Sequence, residues 1–460
     1  MRWILSFPGI PMTMAGGAFG RALSHRNYRL FLLGQSISLI GTWMQQVATA
    51  WLLYRLTGSP LLLGLIGFSS QIPSLFLSPL GGVIADRCNL HRSLLVTQCC
   101  AMAQAILLIV VISVEGTIVW PLIALEFLLG VINAFDMPIR QAFLVQMVPN
   151  KDHLGNAIAL NSSIVNGARL VGPSLAGLII ATWGELACFI LNAASYVAVL
   201  FAILAMRNLP PQVARPAARI RDHLREGFAY GFGFAPLRTI LLMLSVASFV
   251  SMSMNVLMPV FAKDVLHGNA GTQGFLIGAS GLGALGAAIY LASRKSVLGL
   301  GRIIVRAAIV LGIAQIAFSY SPSLLISLPI LTTTGCCMML LMASSNTLLQ
   351  TIVEDDKRGR VMSLYSMAFL GVGPIGSLFG GTLANRIGAS GSVRVSGTIM
   401  IVAGVFFAIR LPYLRTLVRP IYQKAGILPL PAPLPSAADS QTMLQALVIK
   451  PEAIDSHHSA

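Results

Sequence analysis

The feature that most constrains this chain is a series of twelve apolar runs, each of about the length that crosses a membrane as a helix. A helix needs about 20 apolar residues to span the hydrocarbon core, whereas barrel strands alternate over about 10 residues. The sequence therefore predicts an all-α membrane protein with twelve transmembrane helices. The predicted spans cover residues 30–53, 60–84, 93–114, 117–139, 154–181, 185–206, 236–261, 271–293, 303–320, 323–349, 360–385 and 392–411.

Composition excludes a soluble body, because 56% of the residues are hydrophobic and only 10% are charged. The formal net charge of +16 would suit a nucleic-acid protein, but no compact basic domain accompanies it. The six cysteines lie in or beside apolar runs without zinc-site spacing, so we interpret them as packing residues. We therefore expect contact with membrane lipids and no nucleic acid, metal or cofactor.

The distribution of Lys and Arg predicts that both termini are cytoplasmic. In that orientation Arg169 lies within a span, four basic residues lie outside, and the rest of the 31 lie inside. Basic cytoplasmic loops facing anionic lipid headgroups also account for the high isoelectric point. The four outside residues are Arg55, Lys263, Arg386 and Arg394.

A polar, Pro-containing stretch divides the predicted spans into two groups of six. Within it, Ile220, Leu224 and Phe228 recur at four-residue spacing, which indicates either an amphipathic helix on the membrane surface or a plain solvated linker. The predicted organisation is a cytoplasmic segment (1–29), an N-terminal six-helix bundle (30–206), a cytoplasmic linker (207–235), a C-terminal six-helix bundle (236–411) and a disordered cytoplasmic tail (412–460).

The loop after the second predicted span concentrates charge at the end of a long apolar run. Asp86 and Arg87 end the run, and Arg92 restores positive charge after a bend, where Asn89 is expected in a left-handed turn. Gly82 lies four residues before Asp86 and is expected to let a neighbouring backbone approach. The alternative is an ordinary basic cytoplasmic loop.

This loop resembles the one between helices 2 and 3 of the major facilitator superfamily, where Gly, three residues, an acid and a base precede Gly and two more bases. Asn89 stands where Gly is usual, and His91 replaces one base. The resemblance implies that Asp86 lies at the cytoplasmic junction of the two bundles and biases the outward-open state by ion pairing. The charged run 354–358 is a second candidate for that role, or a solvated loop.

Further motifs are similar to the enterobactin-exporter-like branch of bacterial major facilitator efflux proteins, over about residues 21–410. They include a Gly-Pro pair at the same place in each half, at Gly172 and Gly373, as expected for a duplicated six-helix unit that holds substrate near the midplane. The resemblance implies a monomeric transporter in the bacterial inner membrane. The other motifs lie at residues 27–31, 34–35, 41–45, 56–60, 136–141 and 167–173.

The fifth predicted span carries Gly172, Pro173 and Gly177, which resemble the signature of drug-proton antiporters. Pro173 removes a backbone donor and bends the helix, while the glycines permit close packing. A bend here would seal one side of the transporter, and a merely structural kink is the alternative.

Polar residues follow one face of the first and seventh predicted spans. The resemblance implies that these helices line the central cavity together with the fourth and tenth. Hydrogen bonds between helices, worth about 0.6 kcal/mol each, are the equal alternative. The stripe residues are Gln35, Ser38, Thr42, Gln45 and Thr49, then Ser245, Ser248, Met252 and Asn255, with Asn133 on the fourth span.

Glu126 and Arg169 place charge within predicted spans, where each would cost roughly 2.5 to 3.5 kcal/mol if it faced lipid. They lie at similar depths, about 13 Å and 18 Å below the outer ends of their spans. We therefore predict that they pair, or that Glu126 alternates between Arg169 and a proton. A static ion pair and a lipid-facing placement are the alternatives. Asp136 is expected to reach Arg140 at i+4.

The predicted function is export of a small siderophore-like or drug-like organic molecule in exchange for protons, by alternating access. A lipid or solute transporter with another direction or coupling is the first alternative. A membrane receptor or enzyme is the second, although the sequence lacks a nucleotide loop, a metal-spaced His or Cys cluster and a Ser nucleophile motif.

Overall fold

The computed structural model describes residues 22–114, 118–148, 151–209, 229–294, 296–354, 357–424 and 426–429. These residues are almost entirely helical, which confirms the all-α prediction. The helices are α1 (Arg26–Thr57), α2 (Pro60–Arg87), α3 (Leu90–Ser113), α4 (Val119–Met147), α5 (Lys151–Trp183), α6 (Glu185–Leu204), α7 (Ala235–Asn255), α8 (Ala270–Ala292), α9 (Leu300–Ser319), α10 (Leu324–Ile352), α11 (Arg358–Ser366) and α12 (Gly373–Lys424).

Within the described residues, ten helical segments are long and apolar enough to cross a membrane, so the chain is a multi-pass membrane protein. One of the ten, Arg358–Lys424, contains α11, a π-helical turn at Met367–Gly371 and α12. Gly388 interrupts α12 with a φ of 79°, a left-handed value that glycine adopts without steric cost. A second π-helical turn, Phe261–Val265, follows α7.

The chain divides into two compact units, Met1–Pro412 and Tyr413–Ala460. Disorder was expected from residue 412, but residues 413–424 are helical, so that prediction is wrong for this stretch. The Leu, Arg, Gln and Lys residues of this stretch favour helix, and the helix continues through its one proline, Pro420. Residues 430–460 lie outside the described residues, as do Ile220, Leu224 and Phe228.

Local sequence signals explain where the early helices end. Gly58 closes α1 in a left-handed conformation with a φ of 59°. Ser59 then caps α2 by accepting a hydrogen bond from the backbone N–H of Leu62. Asn89 caps α3 in the same way, accepting from the N–H of Arg92 at a φ of −62°. The left-handed turn expected at Asn89 is therefore wrong, because the side chain serves as an N-cap instead.

Two seams of close backbone contact join the first half of the chain (α1–α6) to the second half (α7–α12). In one seam α5 packs against α8, and a Cβ added at Gly274 would lie 2.4 Å from the carbonyl oxygen of Pro173. In the other, α2 packs against α12, and a Cβ at Gly381 would lie 2.6 Å from Cα of Gly64. Small residues therefore determine how closely the halves approach.

We refer to the end where α1 meets α2 as the first-loop end, and to the end where α2 meets α3 as the second-loop end. A buried apolar cluster at the first-loop end draws on both halves, including Tyr54, Leu63, Phe261 and Ala384. A cluster at the second-loop end, around Phe143, contains only residues of the first half. The first-loop end is therefore closed by a core that the two halves share.

Candidate functional site

Glu126 is buried in α4, with 4% of its surface exposed, and it faces α1. Its Oε1 accepts a hydrogen bond from Thr49 Oγ1 at 3.2 Å. One turn away on α1, Gln45 Oε1 accepts from Asn192 Nδ2 at 2.6 Å, and Gln45 Nε2 donates to Gln104 Oε1 at 3.5 Å. These five residues, from α1, α3, α4 and α6, form a buried polar network around the acid.

The predicted pair between Glu126 and Arg169 is wrong. Across the described part of the chain the ion pairs are Arg55–Glu185, Asp136–Arg140 and Lys357–Glu354. The guanidinium carbon of Arg169 lies 5.8 Å from the ring centroid of Trp43 on α1. Because α4 and α5 each pack against α1, Glu126 and Arg169 contact different side chains of α1, and equal depth did not make them neighbours.

Asp136 does bind Arg140, as the i+4 spacing predicts, and it also ties α4 to α3. The carboxylate is 2% exposed and accepts hydrogen bonds from Thr97 Oγ1 at 2.8 Å and Gln98 Nε2 at 2.7 Å. With three donors around it, this carboxylate is held as a hydrogen-bond acceptor between two helices. Its geometry indicates a structural ion pair.

Replacing Asp136 with Asn is expected to lower thermal stability in detergent, because it leaves Arg140 without its counterion. Breaking a buried pair costs about 3 to 5 kcal/mol, and we expect the lower end because 24% of the Arg140 side chain is exposed. Thermal unfolding of the purified protein measures the effect. Asp86→Asn, at an exposed carboxylate, is the matched control, and equal losses in both variants would contradict the assignment.

The charged loop is exposed at the second-loop end, and it differs from its prediction at one glycine. Asp86, Arg87 and Arg92 are all exposed, and they form no ion pair with any residue that the structure describes. A Cβ at Gly82 would meet nothing within 4 Å, whereas one at Gly81 would lie 2.5 Å from the carbonyl oxygen of Ala134 on α4. The close approach of a neighbouring backbone therefore occurs at Gly81, the residue before the predicted one.

The glycines of α5 pack as expected. A Cβ at Gly172 would lie 2.5 Å from Cβ of Trp43, and one at Gly177 would lie 2.8 Å from the carbonyl oxygen of Ala270. Pro173 lies within the helix, and its carbonyl oxygen contacts α8 at Gly274. This segment is thus wedged between α1 and the second half of the chain.

Most residues of the α1 stripe bond within or between helices. Gln35, Ser38, Gln45 and Thr49 are buried, and Thr42 donates to the carbonyl of Ser38 at 2.9 Å. In α7, Ser248 donates to the carbonyl of Phe369 and Ser245 to that of Leu241, while Met252 and Asn255 stay partly exposed. Asn133 is exposed on α4. Hydrogen bonding between helices therefore accounts for Gln45, Thr49 and Ser248, whereas the buried Gln35 Oε1 has no partner among the described residues.

Gln104, Asn192 and Gln98 were missed by the sequence analysis. Each is a lone amide inside an apolar run, which is itself a signal that the side chain needs a partner in another helix.

A polar contact at the first-loop end also escaped the sequence analysis. The hydroxyl of Tyr54, at the end of α1, donates a hydrogen bond to Asp264 Oδ2. Lys263 Nζ lies 5.5 Å from the centroid of the Tyr54 ring, a cation–π distance. Both charged residues belong to the π-helical turn after α7, so this contact joins the two halves of the chain.

Residues 19–420 match the family described as "Transmembrane secretion effector" (MFS_3). Among curated relatives, the "Staphyloferrin A transporter" of Staphylococcus aureus is 25% identical over 82% of this chain and 95% of its own. The "Multidrug efflux pump Tap" of Mycolicibacterium fortuitum is 24% identical over 82% and 93%. The "Macrolide efflux protein A" of Streptococcus pyogenes is 23% identical over 80% and 92%.

Solved structures of similar fold include a POT family transporter with a bound peptide conjugate, with a TM-score of 0.68 at 13% identity over 86% of this chain and 97% of that one. A bacterial homologue of the lysosomal transporter Spinster has a TM-score of 0.65 at 16% identity, over 84% and 96%. The resemblance to major facilitator proteins is therefore confirmed. The chain belongs to the transmembrane secretion effector family of major facilitator proteins, and it is a transporter rather than an enzyme.

Proposed function

We propose that this protein exports a siderophore-like or drug-like organic molecule across the bacterial inner membrane in exchange for protons. The observation that carries the coupling is Glu126, an acid inside the membrane whose partner in α1 is the uncharged Thr49. Without a fixed cation beside it, the carboxyl can exchange a proton whenever a conformational change brings water to it. The names of three relatives, the Staphyloferrin A transporter and two drug efflux proteins, support the substrate class.

The transporter has twelve spans in this proposal, arranged as two bundles of six. Ten apolar segments cross the membrane, and the 32-residue α1 adds a less apolar one. The break at Gly388 divides one of the ten, the segment 358–424, into two spans, which brings the number to twelve. With both termini cytoplasmic, the first-loop end faces outward and the second-loop end faces the cytoplasm.

In that orientation the structure corresponds to a conformation closed on the outside. The shared apolar cluster, the two glycine seams and the Tyr54–Asp264 hydrogen bond all lie toward the first-loop end. Opening outward must separate them. Asp86 and Arg87 are exposed at the second-loop end. In this proposal they form ion pairs with the second half of the chain only when that end closes, as the family resemblance implies.

Transport by inverted vesicles tests the proposal. A siderophore, a macrolide, a cationic dye and a labelled lipid are supplied with and without a proton gradient, and vesicles lacking the protein are the control. We expect gradient-dependent accumulation of at least one of the first three. Accumulation that survives collapse of the gradient would remove proton coupling, and movement of lipid alone would favour a lipid transporter.

Replacing Tyr54 with Phe is expected to populate the outward-open conformation, because it deletes the hydroxyl bonded to Asp264 and keeps the ring beneath Lys263. Spin labels at Leu56 and Arg386, one on each half near the first-loop end, would report a longer distance in a larger fraction of molecules. A hydrogen bond to a charged group contributes about 1.5 to 3 kcal/mol, which corresponds to a shift of roughly tenfold or more.

The matched control for this variant is Tyr320→Phe, which changes another tyrosine that carries a cation on its ring. An unchanged distance distribution in the Tyr54 variant would show that the hydroxyl does not hold this end closed.

A further inference from the structure

Arg169 is a cation inside the membrane that the coupling mechanism does not use. It lies near the middle of the 33-residue α5, and among the residues the structure describes it forms neither an ion pair nor a hydrogen bond. Its described contact is the ring of Trp43, which attracts a guanidinium but carries no charge to neutralise it. An unpaired charge at this depth needs water or an anion beside it.

The position of the Trp43 ring is set by close packing. The glycine at position 172 brings α5 against α1, with only 2.5 Å between an added Cβ and Cβ of Trp43. At 5.8 Å from the ring centroid, the guanidinium is attracted by the ring, which accepts none of its N–H donors as conventional hydrogen bonds. Arg169 therefore lies beside Trp43 with N–H donors that no described residue accepts.

Accessible polar groups continue from Arg169 along the same face of α5. Asn166 and Ser162 precede it by three and seven residues, which is one helical face. Ser162 is exposed, Asn166 and Arg169 are partly exposed, and Asn166 Nδ2 bonds only to the backbone carbonyl of Ser162. This row leads from the middle of the membrane toward the second-loop end, which faces the cytoplasm in the proposed orientation.

We propose that Arg169 and Trp43 form an anion-binding subsite for the exported molecule, which therefore carries a carboxylate or a similar planar oxyanion beside a flat apolar group. The free fork of Arg169 binds two oxygens of such an anion, and the flat group lies along the exposed part of Trp43. The inference rests on the proposed export function, since it assigns a substrate class to that same pathway.

Two xanthene dyes test the inference, because fluorescein is an anion and rhodamine 123 is a cation with a closely similar ring system. Gradient-driven accumulation of each dye is measured in inverted vesicles for the wild type, Arg169→Gln, Arg169→Lys and Trp43→Phe. We expect the wild type to accumulate fluorescein, and the ratio of fluorescein to rhodamine rates to fall about tenfold or more in Arg169→Gln. Arg169→Lys should give an intermediate ratio, since it keeps the charge and loses the fork.

Arg302→Gln, which removes an exposed arginine at the start of α9, is the control and should leave the ratio unchanged. Rhodamine transport without fluorescein transport by the wild type overturns the subsite and leaves the export function standing. If the wild type moves neither dye, the subsite is likewise overturned, and the wider substrate panel decides on export. If Arg169→Gln slowed the transport of both dyes equally, and the remaining transport no longer depended on the proton gradient, Arg169 would be assigned to coupling instead.

Discussion

Replacing Glu126 with Gln is expected to reduce proton-driven export to the level of vesicles that lack the protein. Gln has nearly the shape of Glu and can still accept the hydrogen bond from Thr49, so the packing of α4 against α1 is kept. It cannot exchange a proton, which is the step that couples the gradient to transport in the proposed mechanism. The loss should therefore appear in gradient-driven accumulation and not in thermal stability or substrate binding.

The control for this variant is Glu185→Gln, which changes an acid that is paired with Arg55 at the first-loop end. Substrate binding is followed by tryptophan fluorescence, and transport by uptake into inverted vesicles. Undiminished gradient-driven uptake by Glu126→Gln would remove this residue from the coupling step. Loss of binding together with loss of transport would indicate that Glu126 contacts the substrate directly.

The two halves share a scaffold but not this acid. Glu126 lies seven residues after the start of α4, and the residue at the same place in α10 is Leu331, which is fully buried. In the first half, the buried polar side chains around Gln45 surround the carboxyl of Glu126. In the second half, a buried hydrogen bond joins two uncharged residues, Ser253 of α7 and Ser396 of α12. Coupling through Glu126 would therefore act in one half only, with the other half supplying the moving partner.

Residue patterns along the chain predicted much of this structure. Hydrophobic run length was sufficient for the all-α membrane fold, and i+4 spacing was sufficient for the Asp136–Arg140 pair, because both depend on neighbours within one helix. The glycines of α5 were also interpreted correctly as packing positions, since small residues in membrane helices mark close contacts.

Residue patterns did not predict the contacts between helices that are distant in the sequence. Similar depth in the membrane suggested that Glu126 and Arg169 pair. Two residues at the same depth meet only if their side chains also face each other across neighbouring helices, and depth does not give that arrangement. The hydrogen bond from Tyr54 to Asp264 joins residues that are 210 positions apart, so no local pattern indicates it. At Gly81 and Gly82, a shift of one residue turns the side-chain position by about 100°, which is enough to separate a packed face from an open one.

Replacing Gly274 with Leu is expected to abolish transport by holding the first-loop end open. A Cβ at this position would lie 2.4 Å from the carbonyl oxygen of Pro173 and 3.3 Å from Cα of Gly177, so a larger side chain cannot fit while α5 and α8 are in contact. The obstruction exists only when the seam is closed, because separated halves leave room for the side chain. The variant should therefore fold and remain outward-open.

Gly286→Leu is the matched control, since it changes a glycine on the same helix whose added Cβ would meet nothing within 4 Å. The Leu56–Arg386 spin-label pair should show a longer distance in Gly274→Leu and an unchanged one in Gly286→Leu. Transport should be lost in the first variant and kept in the second. If Gly274→Leu transported at the normal rate, the α5–α8 seam would not need to close during the cycle. If both variants unfolded, helix α8 would be intolerant of leucine in general, and the seam would not be the cause.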